Sequence, residues 1–321
     1  MAVYTDITDA ELQGLLARYD LGRARALKGI AEGIENSNFL LETQAGRFIL
    51  TVYERRVRAA DLPFFLELMG WLARRGFPCP TPVPTREGAL LSSVRAKPCA
   101  IVSFLPGLSI RAPDAAHARA AGEALARMHA AGEGFAPTRA NDLGLPAWRP
   151  LLEAHAALAE RLRPGLLAQA RADLDALERG WPEGLPAGVI HADLFPDNVF
   201  FDGDRFAGAI DFYFACTDAL AYDLAVMLNS WAFPDRRLDP ARARALAAGY
   251  QAVRPLEAAE HASLGLLARG AAMRFFLTRL ADWEATPPGA LVSRKDPLEY
   301  ADRLDQWRAL GDRPLLEALS A

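Results

Sequence analysis

The chain has 321 residues, 51% of them hydrophobic and 24% charged, with a formal net charge of −4. That is enough apolar material for a folded core and, by length, for about two domains, while the acidic balance gives no basic footprint for nucleic acid. There is no apolar run of the ~18 residues a membrane span needs, and the start MAVYTDITDAEL lacks a basic segment, an apolar segment and a cleavage site, so a soluble cytoplasmic protein is expected.

In chain order, TDAELQGLLARYD reads as a first helix, with Thr8 and Glu11 at capping-box spacing and Leu12, Leu15 and Leu16 as its apolar face. Between 26 and 53, ALKGIA, NFLLET and RFILTVY are short β-rich runs separated by Gly and Asn signals, which predicts three strands joined by a loop and a hairpin. DLPFFLELMGWLARRG is helical in period, PCPTPVPT cannot be helical, and ALLSS and CAIVSFL read as two further strands. The expectation is a β-rich first lobe over 1–105 and a second, mostly helical lobe over 106–321. Helices are predicted in AAHARAAGEALARMHAA, LLEAHAALAERL, LLAQARADLDALERG, DALAYDLAVMLNSWAF, PARARALAAGYQAV, SLGLLARGAAMRFFLTRLADW and YADRLDQWRALG. One β island interrupts them, GVIHADLFPDNVFFDGDRFAGAIDF, where VFF and FAGAID are joined by DGD, a hairpin signal. Cys79, Cys99 and Cys216 are far apart and in apolar contexts, so they read as buried thiols rather than a disulfide or metal framework.

The β island carries the chemistry. In an antiparallel hairpin the residue entering the first strand and the residue leaving the second lie at one end, so Asn198 and Asp211 are expected together, beside the loop holding His191 and Asp193. Two hard oxygen ligands with room for phosphate oxygens suit Mg²⁺. Asp193 could then accept the proton of an attacking hydroxyl. His191 is read as a brace for this loop more than as a proton carrier. The competing reading of DLFPDN is a plain turn before a strand. It weakens once the hairpin and the aspartate of IDF are added.

On these residues the chain resembles the aminoglycoside phosphotransferase-like kinases, small-molecule relatives of the protein kinases, with HAD in place of HRD and DFY in place of DFG. GIAEGIENSNF, KPCAIVSFLPG, VIHADLFPDNVFF, RGAAMRFFLTRLADW and GALVSRKDPLEY resemble one branch in particular, the homoserine kinases. The resemblance implies an α+β, bilobal protein-kinase-like fold, ATP and Mg²⁺, and L-homoserine as the phosphoryl acceptor. It implies Asp193 as catalytic base and Asn198 and Asp211 as magnesium ligands, with Glu32 to Asn38 as a phosphate loop in which Gly33, Asn36 and Ser37 contact the nucleotide. Ser103 and Phe104 would be the hinge for adenine, and Asp223 the helix aspartate that holds the catalytic loop. The strand lysine of such kinases is missing: its place holds Thr51, Lys97 and Arg55 are the possible substitutes, and Glu67 is the candidate helix partner.

A zwitterionic acceptor needs a cation for its carboxylate and an acceptor for its amine. RFFLTRLADW offers Arg274, Arg279 and Asp282, with Arg274 the first candidate for the carboxylate and Tyr213 and Trp231 as possible pocket walls. The alternatives are a kinase for another small alcohol, such as choline, methylthioribose or an aminoglycoside, and a nucleotide-binding pseudokinase.

Overall fold

The computed structural model describes residues 5–30, 36–54, 58–285, 294–311 and 315–319. The architecture is the α+β one expected, divided into two compact units. The first comprises Met1–Gly107 with two later segments, Phe135–Arg139 and Ala207–Tyr213, and the second takes the rest.

In the first unit, α1 (Asp9–Leu16) begins at Thr8, whose side chain accepts from the Glu11 N–H while the Glu11 carboxylate accepts from the Thr8 N–H, the capping box read from the sequence. Strands β1 (Ala24–Ile30), β2 (Asn36–Thr43), β3 (Gly46–Tyr53), β4 (Ser92–Val94) and β5 (Lys97–Ser103) form one antiparallel sheet in the order β1-β2-β3-β5-β4. Helix α2 (Leu62–Arg74) lies between β3 and β4 in the chain. Register fixes the faces. Phe39 opposes Leu50 and Leu50 opposes Ile101, while Val52 opposes Ser37 and Cys99. Directly opposed residues point to the same side, and this side joins Leu12, Leu15, Leu16 and Tyr19 in the α1 core. Asn38, Thr51 and Ala100 therefore point to the other side.

Two findings differ from the sequence reading. The fourth strand is Ser92–Val94 rather than ALLSS, because Arg95 and Ala96 (φ 51° and 60°) make a two-residue turn back into β5. Positive φ at both central residues is the primed hairpin geometry that usually shows as Asn-Gly or Asp-Gly, so Arg-Ala gave no signal. In addition, the segment 207–213 is tied into this unit, with Ala209 N–H donating to Pro78 O at 3.0 Å.

The second unit opens with β6 (Leu108–Ser109) and α3 (Ala115–Gly132), then α4 (Leu145–Ala154), α5 (Ala156–Leu162) and α6 (Leu166–Gly180). Then come β7 (Ala187–Ile190), β8 (Val199–Asp202), β9 (Arg205–Ala209, its residues from Ala207 on counted with the first unit) and β10 (Cys216–Ala219). Helices α7 (Leu220–Trp231), α8 (Pro240–Val253), α9 (Ala258–Ala285), α10 (Leu298–Ala309) and α11 (Leu315–Ala318) follow. The DGD hairpin is present: β8 and β9 are neighbours and turn through Gly203 (φ 59°). Asp218 and Ala219, read as the start of a helix, instead end β10, which pairs with β7, Cys216 opposite Ile190. This pairing is nonlocal and so invisible to local periodicity. Helices α3 and α8 cross at two glycines: a Cβ on Gly122 would lie 2.1 Å from Leu246 O, and one on Gly249 would lie 2.0 Å from Arg119 O. Among the described residues no helix is long and apolar enough to cross a membrane.

Candidate active site

The loop after β7 is the best-organised polar feature of the second unit. β7 ends at Ile190, a 3-10 turn spans Pro196–Asn198, and β8 starts at Val199, so HADLFPDN bridges two strands. Its path requires Ala192 in the left-handed region (φ 61°), a conformation that costs a non-glycine residue roughly 1–2 kcal/mol. Buried side chains hold it there. Asp223, on the first turns of α7 and fully buried, accepts from His191 N–H at 2.7 Å and Ala192 N–H at 2.8 Å. On the other side, Arg274 Nη1 donates to Ala192 O. Trp231 Nε1 donates to Leu194 O at 2.9 Å, and Asn198 Nδ2 donates to Asp193 O at 2.8 Å. One carboxylate, one guanidinium, one indole and one amide thus fix the backbone on both sides of Asp193.

Behind Asp223 lies a polar chain that the sequence reading missed. His129 Nε2 is 3.1 Å from Asp223 Oδ2, and His129 Nδ1 is 2.8 Å from the Tyr250 hydroxyl. That hydroxyl also receives Arg254 Nη1 at 3.1 Å, and Arg254 pairs with the buried Glu260. Burial alone would raise the Asp223 pKa, but the hydrogen bonds from the His129 side chain and the His191 backbone act against it, and the carboxyl lies below its ordinary value. It is therefore ionised at neutral pH. His129 gave no sequence signal beyond being one of two histidines, with His117, in an alanine-rich helix.

Asp193 is half-buried, and its carboxylate accepts a longer bond from Asn198 Nδ2 at 3.4 Å. Because the Asn198 nitrogen serves Asp193, the amide is oriented with its oxygen as the remaining acceptor, which suits a hard cation. His191 has no exposed surface, and its Nδ1 accepts from Asp193 N–H at 3.3 Å. That bond needs an unprotonated Nδ1. The histidine therefore braces the loop.

The substrate candidates are placed differently from the expectation. Arg274 is 2% exposed, with its guanidinium over Phe275 and Phe214 at 4.5 and 5.5 Å and its donor on Ala192 O; it supports the loop from inside the core. Trp231 is also buried and serves Leu194. Arg279 ion-pairs with Glu299 and donates to Asp296 O at 3.1 Å. Asp282 is half-buried on α9.

In the first unit, Asp211 follows β9 with φ 66°, a left-handed position that Asp tolerates better than most residues. Beside it, the Tyr213 hydroxyl lies 3.2 Å from that of Tyr53, and the Tyr213 ring meets Tyr53 and Phe65 edge-on. Burial, with the Asp211 charge adding to it, pushes the Tyr213 phenol up to about 12 against the pull of hydrogen bonds from Tyr53 and Thr51. Thr51 Oγ1 also donates to Asn38 Oδ1 at 2.8 Å. Asn38, Thr51, Tyr53, Tyr213 and Asp211 therefore share the sheet face away from α1.

That register corrects several nucleotide assignments. Lys97, Ser37 and Glu54 are on the α1 face, where Lys97 ion-pairs with Glu54 and donates to Thr5 Oγ1 at 2.7 Å. Ser37 Oγ donates to Glu54 at 2.7 Å. Lys97 therefore does not replace the missing strand lysine. Asn36 and Ser37 are buried strand residues, not loop residues: β2 begins at Asn36, and Asn36 Oδ1 accepts from Glu54 N–H at 3.4 Å. Glu67 lies on the exposed side of α2. Ser103 N–H donates to Thr81 O at 2.8 Å and Phe104 N–H to Arg47 O at 3.4 Å, so both hinge donors are committed within this unit. Gly33 and Arg55 lie outside the described residues. Among the described residues no three His, Cys, Asp or Glu side chains cluster as a metal cage, and the magnesium read from the motif needs only two protein oxygens.

Residues 26–256 match the phosphotransferase enzyme family. A homoserine kinase of Caulobacter vibrioides is 62% identical over 306 residues, 95% of this chain and 96% of that protein. A homoserine kinase of Phenylobacterium zucineum is 61% identical over 322 residues, spanning all of both chains. The chain belongs to the phosphotransferase enzyme family, with the homoserine kinases. Solved structures show the same fold at low identity. An amicoumacin kinase has a TM-score of 0.69 at 15% identity, covering 95% of this chain and 92% of that one. An aminoglycoside phosphotransferase from Alicyclobacillus acidocaldarius has a TM-score of 0.66 at 17% identity, covering 98% and 96%. In this chain Asp223 accepts from two backbone N–H groups at the start of the loop from His191 to Asn198.

Proposed function

We propose that this chain is a homoserine kinase, transferring the γ-phosphoryl group of ATP to the side-chain hydroxyl of L-homoserine to give O-phospho-L-homoserine, a step toward threonine. The observation that carries the reading is identity of about 60% to homoserine kinases over essentially the whole of both chains. It extends beyond the catalytic loop, which alone would indicate only a phosphotransferase.

Asp193 accepts the proton of the homoserine hydroxyl as that oxygen attacks the γ-phosphorus, with ADP leaving. Its clamped backbone and its contact with Asn198 fix the carboxylate before substrate arrives. Asn198 and Asp211 are assigned as magnesium ligands from the HxDxxxxN and IDF motifs and their oxygen donors. Bound Mg²⁺ supplies neutralisation of phosphate charge. His191, Trp231, Arg274 and Asp223 act on the loop rather than on substrate.

The test is ADP release by the purified protein with Mg·ATP against L-homoserine, L-serine, L-threonine, choline, methylthioribose and an aminoglycoside. Preferential turnover of homoserine is expected. Preference for any other alcohol overturns the substrate, and ATP binding without turnover of any acceptor overturns the enzyme.

A further inference from the structure

Tyr300, on α10, has no exposed surface, and its hydroxyl has no hydrogen-bond partner. An unpaired buried hydroxyl is destabilising, and an acceptor group of a bound ligand would remove that cost. The guanidiniums of Arg303 and Arg279 lie 4.1 and 4.5 Å from the Tyr300 ring centre. Both pair with one carboxylate, Glu299, and their other bonds go to neutral carbonyls, Asn229 O and Asp296 O. Around the Tyr300 phenol the two guanidiniums face two carboxylates, Glu299, which they hold, and Asp193.

The place is next to the chemistry. Tyr300 stacks on Phe275 with ring centres 5.2 Å apart, and Phe275 meets Phe195 edge-on at 5.0 Å. Phe195 is two residues after Asp193 in the catalytic loop. The Asp193 carboxylate is close enough for its charge, after burial and against the two arginines, to oppose ionisation of the Tyr300 phenol, which stays a donor.

We propose that Tyr300 is a specificity residue: its hydroxyl, flanked by the Arg279 and Arg303 guanidiniums, receives the carboxylate of an amino-acid acceptor whose hydroxyl is presented to Asp193. This rests on the homoserine reading and adds how the acceptor is told from a plain amino alcohol.

The experiment is steady-state kinetics of full-length wild type and Tyr300→Phe with L-homoserine and with 3-amino-1-propanol, the same acceptor without its carboxylate, alongside thermal unfolding of both proteins. The variant removes an oxygen that touches no protein partner, so its thermal midpoint stays equal or rises. Its kcat/KM for homoserine falls at least about tenfold, the loss of one hydrogen bond to a charged group, chiefly through KM. Its kcat/KM for aminopropanol and its KM for ATP stay within about twofold of wild type. Unchanged homoserine kinetics in the variant, an equal loss for both acceptors, or a lowered thermal midpoint overturns this inference alone. A wild type that ignores homoserine but phosphorylates another alcohol overturns the homoserine reading and this inference with it.

Discussion

Replacing Asp223 by Asn tests whether the loop from His191 to Asn198, proposed as the catalytic loop, is held as described. The native carboxylate accepts three bonds at full burial: two from loop N–H groups at 2.7 and 2.8 Å and one from His129 at 3.1 Å. An Asn side chain keeps one oxygen but presents an NH₂ where the other oxygen was, so one buried loop N–H faces a donor. Leaving a buried N–H unpaired costs about 1–3 kcal/mol, and removing the carboxylate partner of a buried pair brings the total to about 3–5 kcal/mol. That is a large share of a typical stability of about 5–15 kcal/mol. Urea unfolding followed by far-UV circular dichroism should show a clearly lowered midpoint, and kcat for homoserine should fall as the loop relaxes around Ala192. The pH dependence has a definite sign. Because the folded-state pKa of Asp223 is lowered, its stabilisation is fully present above the unfolded value of about 3.9 and is lost as pH falls through the folded value. The gap between wild type and variant is therefore constant above about pH 5 and narrows only in acid below the ordinary Asp value. A variant within about 1 kcal/mol of wild type at neutral pH, with unchanged kcat, would refute the clamp.

Gly249→Ala should destabilise by at least about 2 kcal/mol, because its Cβ would sit 2.0 Å from Arg119 O where α8 crosses α3; helix propensity alone predicts a gain of about 1 kcal/mol, so the sign of the shift in urea midpoint decides. Lys97→Met should lower stability modestly, about 1 kcal/mol for a partly exposed pair, while the KM for ATP stays within about twofold. A tenfold rise in that KM would return Lys97 to the nucleotide site. The Glu54 carboxyl, held below its ordinary value by Lys97, Ser37 and Thr5 despite the opposing effect of burial, adds stability that is present above its unfolded pKa and lost in acid as pH falls through the lowered value. The acid limb of the stability curve should therefore be shallower in Lys97→Met.

What the sequence made legible was local. Thr8 and Glu11 gave the first cap, DGD gave the hairpin, and His191, Asp193 and Asn198 carried residue types and spacing that survive without contacts. What it hid depends on register and on partners far along the chain. Lys97 looked like a substitute for the strand lysine until pairing with β3 put it on the α1 face beside Glu54, because a side chain's face changes with every residue of a strand. In the sequence Arg274 reads as the cation for the acceptor carboxylate and Trp231 as a possible pocket wall. They are core residues whose polar ends meet carbonyls 82 and 37 positions away. The unpaired hydroxyl of Tyr300 is a property of the packed state only.

The most direct test of the account is formation of O-phosphohomoserine by wild type and Asp193→Asn, measured by mass spectrometry under saturating Mg·ATP and L-homoserine, with ATP affinity measured in parallel. Phosphohomoserine made by wild type, and made at least about 10²-fold more slowly by the variant at unchanged ATP affinity, is the predicted result. An Asp193→Asn enzyme that makes it at the wild-type rate would contradict the assignment of the base.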